Sequence, residues 1–170
     1  MENIPCLSTY LEKYSIFYLS KYTVTQKKFE RILHRKIYKD FASKKISFDQ
    51  KESSRDIINK LVEKFVDIKV INEKVMIKNR LNSLIKKGSS LKKIHYVLKK
   101  DQFPENIINA EMDELKKYEG IEKDLLRNYC RKKNIVSHKK YDNKSYNKTL
   151  NKLILEGFRK ETCIDFFENT

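Results

Sequence analysis

The stretch RLNSLIKKGSSLKKIHYVLKKDQFPENII, residues Arg80–Ile108, decides the fold. It joins two short amphipathic runs through Lys-Lys-Gly-Ser-Ser and breaks again at Gln-Phe-Pro. Gly88 suits the left-handed residue that ends a helix, and either serine after it suits the N-cap of the next helix. Pro104 and Glu105 suit the first turn of a further helix. The stretch therefore predicts three helices separated by two tight corners.

Apolar residues recur at helical spacing on both sides of this stretch. Thr23-Val24-Thr25-Gln26 resembles a capping box that starts a second helix, and polar segments at 43–51 and 134–143 read as connectors. The predicted apolar faces outside the central stretch include Leu7, Tyr10, Leu11, Tyr14, Phe17 and Tyr18; Phe29, Ile32, Leu33, Ile37 and Phe41; Ile57, Ile58, Leu61, Val62, Phe65 and Val66; Leu125, Leu126, Tyr129 and Cys130; Tyr146, Leu150, Leu153 and Ile154; and Cys163, Ile164 and Phe167.

The corner at Gln-Phe-Pro has a counterpart near the end of the chain. Leu98-x4-Phe103 matches Leu153-x4-Phe158 at an offset of 55 residues. A period of about 50 residues is typical of stacked helical modules, each too small to bury its own apolar face. We predict an all-α fold of three tandem three-helix modules, residues 1–70, 71–119 and 120–170.

Composition supports helices and a polyanionic partner. Three Gly and two Pro are too few for the turns of an all-β protein. The formal net charge is +15, spread along the chain without a basic tail. Such a charge favours nucleic acid, a nucleoprotein or an anionic membrane surface as partner. The alternative is a Lys-rich composition that only reflects genome base bias.

The cysteines and the hydropathy pattern predict a cytoplasmic protein. Cys6, Cys130 and Cys163 are an odd number without close spacing, which argues against a disulfide scaffold and a zinc ribbon. We expect Cys130 and Cys163 to be buried on apolar faces. No signal peptide or membrane-spanning run is present in the sequence.

The sequence predicts no enzyme and no cofactor. His34, His95 and His138 are far apart, and no pair has metal-ligand spacing. No Gly-rich phosphate loop is present. Tyr10, Tyr14 and Tyr18 could form a base-stacking platform, but we favour core packing, because their spacing is that of a buried helix face.

Basic runs are the candidate binding residues. Most of them lie opposite an apolar face or at a corner, where they could neutralise phosphates or carboxylates. For each cation alone, a solvated surface is the simpler interpretation. The candidates are Lys27, Lys28, Arg31, Arg35, Lys36, Arg80, Lys86, Lys87, Lys92, Lys93, Arg131, Lys132, Lys133, Lys139 and Lys140.

Three stretches, in order, resemble the RecX family of bacterial regulators of the RecA recombinase. They are Phe17–Ile37, FYLSKYTVTQKKFERILHRKI; Ile71–Leu98, INEKVMIKNRLNSLIKKGSSLKKIHYVL; and Tyr129–Phe158, YCRKKNIVSHKKYDNKSYNKTLNKLILEGF. Their order and spacing carry the resemblance. The chain departs from the family's usual residues at corner and packing positions: Asn72, Glu73, Val75, Met76, Val136 and Ser137.

The resemblance implies an elongated, curved monomer that binds in the groove of the RecA–DNA filament. It implies modulation, usually inhibition, of strand exchange and ATP hydrolysis by RecA, with contacts to single- or double-stranded DNA and without a cofactor. Two alternatives stay open. One is a general nucleic-acid-binding helical protein without a recombinase partner, and the other is a helical adaptor that binds only proteins.

Overall fold

The computed structural model describes residue 4, residues 6–135 and residues 143–168. This part of the chain is all-α, as predicted, with nine helices and no strand. None of the nine is both long and apolar enough to cross a bilayer. The helices are α1 (Leu7–Lys21), α2 (Gln26–Ala42), α3 (Phe48–Asp67), α4 (Glu73–Lys87), α5 (Leu91–Lys100), α6 (Glu105–Lys116), α7 (Ile121–Lys133), α8 (Asn143–Leu155) and α9 (Lys160–Glu168).

The helices group into two compact units, Met1–Met76 and Ile77–Thr170. The boundary between them falls within the first turn of α4. The division into three modules and the elongated, curved shape stay predictions.

The first unit is built on α3, which packs against α1 and α2. Phe29 and Phe65 meet edge to face in its core, with ring centroids 5.9 Å apart. Tyr10, Tyr14 and Tyr18 are partly buried against this core, which agrees with core packing. Phe17 does not lie on the buried face as predicted: its side chain is 57% exposed. At 100° per residue it falls at the edge of the α1 stripe, where the Lys21 ammonium lies 4.0 Å from its ring centroid.

Two helix starts in this unit differ from the prediction. The N-cap of α2 is Thr25, whose side chain accepts a hydrogen bond from the Lys28 N–H. The helix therefore starts two residues later than the capping box predicted at Thr23, and Thr25 is a simple N-cap because the third helical residue, Lys28, cannot complete a capping box. The connector before α3 is shorter than predicted, because Ser47 and Gln50 form a reciprocal capping box that starts the helix at Phe48.

The corners of the second unit have the predicted backbone. Gly88 has φ of 74°, and the N–H of Ser89 donates to the carbonyl of Leu84. The Phe103 N–H donates to Leu98 O at 3.3 Å, and the Phe158 N–H donates to Leu153 O at 3.2 Å. In both cases the residue before the phenylalanine has a positive φ. The Leu-x4-Phe corners are thus equivalent helix ends of the Schellman type.

The Lys-Lys-Gly-Ser-Ser corner is also a packing surface. A Cβ at Gly88 would lie 2.4 Å from the Tyr129 nitrogen, so the backbones of this corner and of α7 touch. Ser90 caps α5 by accepting from the Lys93 N–H, and its hydroxyl donates to Glu156 O at 2.7 Å. The small residues of the corner therefore let α4, α5, α7 and the end of α8 meet.

The other apolar predictions in this unit hold with one exception. Leu125, Leu126 and Leu150 are buried, whereas Ile154 is exposed. Cys130 and Cys163 are buried as expected. Burial raises the pKa of the Cys130 thiol to about 11 and that of the Cys163 thiol to about 12. Both side chains act as small apolar groups.

Candidate anion-binding surfaces

Four of the predicted cations form an exposed stripe along α2. Lys27, Lys28, Arg31 and Arg35 are all exposed, and each is three or four residues from another. The opposite side of α2 carries its buried apolar residues. The stripe is about 12 Å long at 1.5 Å per residue.

A groove between α2 and α3 extends this stripe. Its volume is about 530 Å³, and we call it the α2–α3 groove. Arg31, Arg35 and Tyr38 line it from α2, and Lys51 and Arg55 line it from α3. Helix α3 follows α2 after a five-residue connector, so the two helices run antiparallel and their cations face one another.

The cations of the α2–α3 groove are not neutralised by their neighbours. Within the described part of the chain, Arg31, Arg35 and Arg55 have no carboxylate within ion-pair distance. Lys51 instead lies over the ring of Phe41, 4.9 Å from its centroid. Glu52 is the acidic residue that lines the groove. Three guanidinium groups and an ammonium therefore converge against one carboxylate.

Lys51, Arg55 and Tyr38 were missed by the sequence interpretation. Lys51 and Arg55 are spaced i, i+4, which would have marked a basic face if α3 had been started at Phe48. Tyr38 lies seven residues after Arg31, on the same side of α2. The missed signal was the Ser47-x-x-Gln50 capping-box pattern, which starts α3 at Phe48 and leaves a five-residue connector typical of antiparallel helix pairs.

Lys36, also predicted to bind, is engaged inside the first unit. Its ammonium lies 2.6 Å from a carboxylate oxygen of Asp40, whose side chain is 2% exposed. The Tyr10 hydroxyl donates to the same carboxylate at 2.9 Å. Burial lowers the pKa of Lys36, but the hydrogen bonds and charges of Asp40 and Tyr10 together raise it by more, so the net shift of this pKa is upward. Lys36 thus supports the carboxylate of Asp40 that Tyr10 of α1 contacts, and it does not line the groove.

A second group of predicted cations meets in the second unit. Lys132 Nζ donates to the carbonyl of Lys86 at 2.5 Å, which brings the ends of α4 and α7 together. We call this group the α4–α7 cluster; its members are Lys86, Lys87, Arg131, Lys132 and Lys133. All of them are exposed. Part of their role is structural, since cations in the last turn of a helix interact favourably with its dipole.

Lys92 and Lys93 lie beside a smaller groove at the start of α5. The groove has a volume of about 330 Å³ and is also lined by Tyr96 and Leu155. Lys93 forms an ion pair with Glu156. The hydrogen bond from Lys93 lowers the pKa of that carboxyl, while partial burial acts in the opposite direction. Lys92 has no such partner among the described residues.

The remaining predicted residues are Arg80, Lys139 and Lys140, and Arg80 belongs to neither surface. Arg80 forms an ion pair with Asp101 at the end of α5, with Nε 2.7 Å from Oδ2. Lys139 and Lys140 lie outside the described residues, as do Val136 and Ser137. In the rest of the chain, no group of three or more His, Cys, Asp and Glu residues is placed to hold a metal ion.

Comparison with known proteins gives no assignment. No protein-family model, no curated protein and no solved structure matches this chain.

Proposed function

We propose that this protein is a non-enzymatic regulator that binds nucleic acid within a recombinase filament of the RecA–DNA type. Its binding residues are the cations of the α2–α3 groove and of the α4–α7 cluster. It acts in the cytoplasm as a monomer, without a cofactor, and inhibits strand exchange and ATP hydrolysis by the recombinase.

The α2–α3 groove is the observation that supports the nucleic-acid part of this proposal. Arg31, Arg35 and Arg55 stay free of carboxylates there, although the described residues contain several other ion pairs. Guanidinium groups match phosphate oxygens in charge and in hydrogen-bond geometry. Phosphates that enter the groove release counterions, which makes binding favourable and dependent on salt.

The recombinase part of the proposal depends on the RecX-like order of the three sequence stretches. A filament repeats the same protein and DNA surfaces along its axis. A chain with two separate basic surfaces can bind several such repeats at once, so that weak contacts add up through a high effective concentration.

Co-sedimentation tests this function. The protein is mixed with RecA filaments on single-stranded DNA, with the bare DNA and with RecA alone, at the same moderate salt concentration. We expect retention by the filament well above retention by either component, and slower strand exchange as the protein is added. Equal retention by filament and bare DNA would instead support a general nucleic-acid-binding protein, and retention by neither would contradict both functions.

A further inference from the structure

Tyr38 is the feature that the proposed function leaves unexplained. Its side chain is 71% exposed, more than that of any other aromatic residue in the described part of the chain. It contributes nothing to the core of the first unit. A large ring exposed at the wall of a concave basic site is suited to contact a flat ligand.

The neighbours of Tyr38 supply the charge that such a ligand would need. Arg35 precedes it by almost one turn of α2, and Lys51 and Arg55 face it from α3. With Arg31, four cations lie in the same groove as the exposed ring. A ring beside cations that have no carboxylate partner is the combination by which proteins bind unpaired nucleotides: bases stack on the ring, and the backbone follows the positive charge.

We propose that the α2–α3 groove is a subsite for single-stranded nucleic acid, in which an unpaired base stacks on Tyr38 and the flanking phosphates contact Arg31, Arg35, Lys51 and Arg55. This inference rests on the proposed function and adds to it a strand preference and a base-contacting residue. The sugar can be deoxyribose or ribose, because the chemistry used is that of the base face and the phosphate.

The exposed ring of Tyr38 favours one strand over two. The groove is large enough for an unpaired nucleotide, because its volume of about 530 Å³ is within the range of small-ligand sites, about 300–1,000 Å³. In a duplex each base face is already stacked and is not available to Tyr38. A duplex can use only the phosphate contacts of the groove, so loss of the ring should affect the single strand alone.

The test measures the affinity of the full chain for fluorescent oligo(dT), oligo(U) and a DNA duplex by anisotropy. Tyr38→Leu removes the ring, Tyr38→Phe keeps it, and Tyr118→Leu is the control, since Tyr118 is 60% exposed and does not line the groove. We expect Tyr38→Leu to weaken binding of oligo(dT), oligo(U) or both by roughly five- to hundredfold. Tyr38→Phe and Tyr118→Leu should bind like the unmodified chain, and all variants should bind the duplex equally.

The outcomes separate this inference from the proposed function. An unchanged single-strand affinity for Tyr38→Leu, or an equal loss on the duplex, would overturn the subsite and leave the function standing. Competition by polyglutamate as effective as that by oligo(dT) would overturn it as well, because it would assign the groove to an acidic peptide. Failure of the unmodified chain to bind any of the nucleic acids would refute both.

Discussion

At the scale of single residues, Gly88 shows how one position sets the packing of the second unit. It combines a left-handed backbone with a direct approach to α7, since Leu125 O would lie 2.8 Å from an added Cβ. The sequence was sufficient to predict the left-handed conformation. It did not predict the contact with α7, because that neighbour is distant along the chain.

Gly88→Ala should lower the free energy of unfolding by about 2–4 kcal/mol, since backbone strain adds to a clash that only a backbone shift can relieve. Gly120→Ala is the matched control. Its φ is 85°, but nothing lies within 4 Å of an added Cβ, so the strain alone should cost about 1 kcal/mol. Urea titrations followed by far-UV circular dichroism measure both. Equal losses of unfolding free energy in the two variants would show that the close approach of Gly88 to α7 does not contribute to stability.

Asp40 is a second residue whose role became visible only in the structure. Its buried carboxylate accepts from both the Lys36 ammonium and the Tyr10 hydroxyl. The spacing of α2 in fact places both partners on its buried side, since Asp40 comes seven residues after Leu33 and Lys36 comes seven residues after Phe29. Lys36 was grouped with the exposed cations because its charge was considered and its position on the helix was not.

Asp40→Ala should destabilise the protein by about 2–4 kcal/mol, because it leaves a largely buried ammonium without its partner. Asp56→Ala, at an exposed position of α3, should change the free energy of unfolding by about 0.5 kcal/mol or less. Chemical denaturation at neutral pH compares the two. The double variant Lys36→Met with Asp40→Leu should recover much of the loss; a further loss in the double variant would argue against this explanation.

At the scale of helices, the apolar periodicity placed most of the buried residues, with Phe17 and Ile154 as exceptions, but it did not place all the helix ends. The Leu-x4-Phe spacing identified equivalent corners because Schellman ends require a left-handed residue followed by an apolar contact. The start of α2 was misplaced because Thr23 and Thr25 both precede a helical run, and only burial distinguishes them. Thr25 is 2% exposed, whereas Thr23 is exposed.

Thr25→Ala should therefore lower the free energy of unfolding by about 1 kcal/mol, the usual value of an N-cap. Thr23→Ala, the matched control, should leave it unchanged within about 0.5 kcal/mol. Thermal or urea unfolding of the two variants gives the answer. A larger loss for Thr23→Ala would restore the capping box that the sequence predicted.

At the scale of the whole molecule, the sequence gives the charge but not its distribution. A net charge of +15 says that a polyanion is attracted. It does not say which cations remain available once ion pairs form. Arg80, Lys36 and Lys93 are paired in the structure, whereas Arg31, Arg35 and Arg55 have no carboxylate partner among the described residues. The groove depends on the packing of α2 on α3, which single-helix periodicity does not contain.

The salt dependence of binding to single-stranded DNA tests the central claim that the α2–α3 groove neutralises phosphates. Arg35→Gln with Arg55→Gln removes two groove cations. Lys13→Gln with Lys60→Gln removes two exposed cations that do not line the groove. The slope of log K against log salt should become shallower by about 1.4 for the groove variant, at roughly 0.7 per phosphate contact, and stay unchanged for the control. Equal slopes for the two double variants would show that the cations of the α2–α3 groove do not contact phosphates.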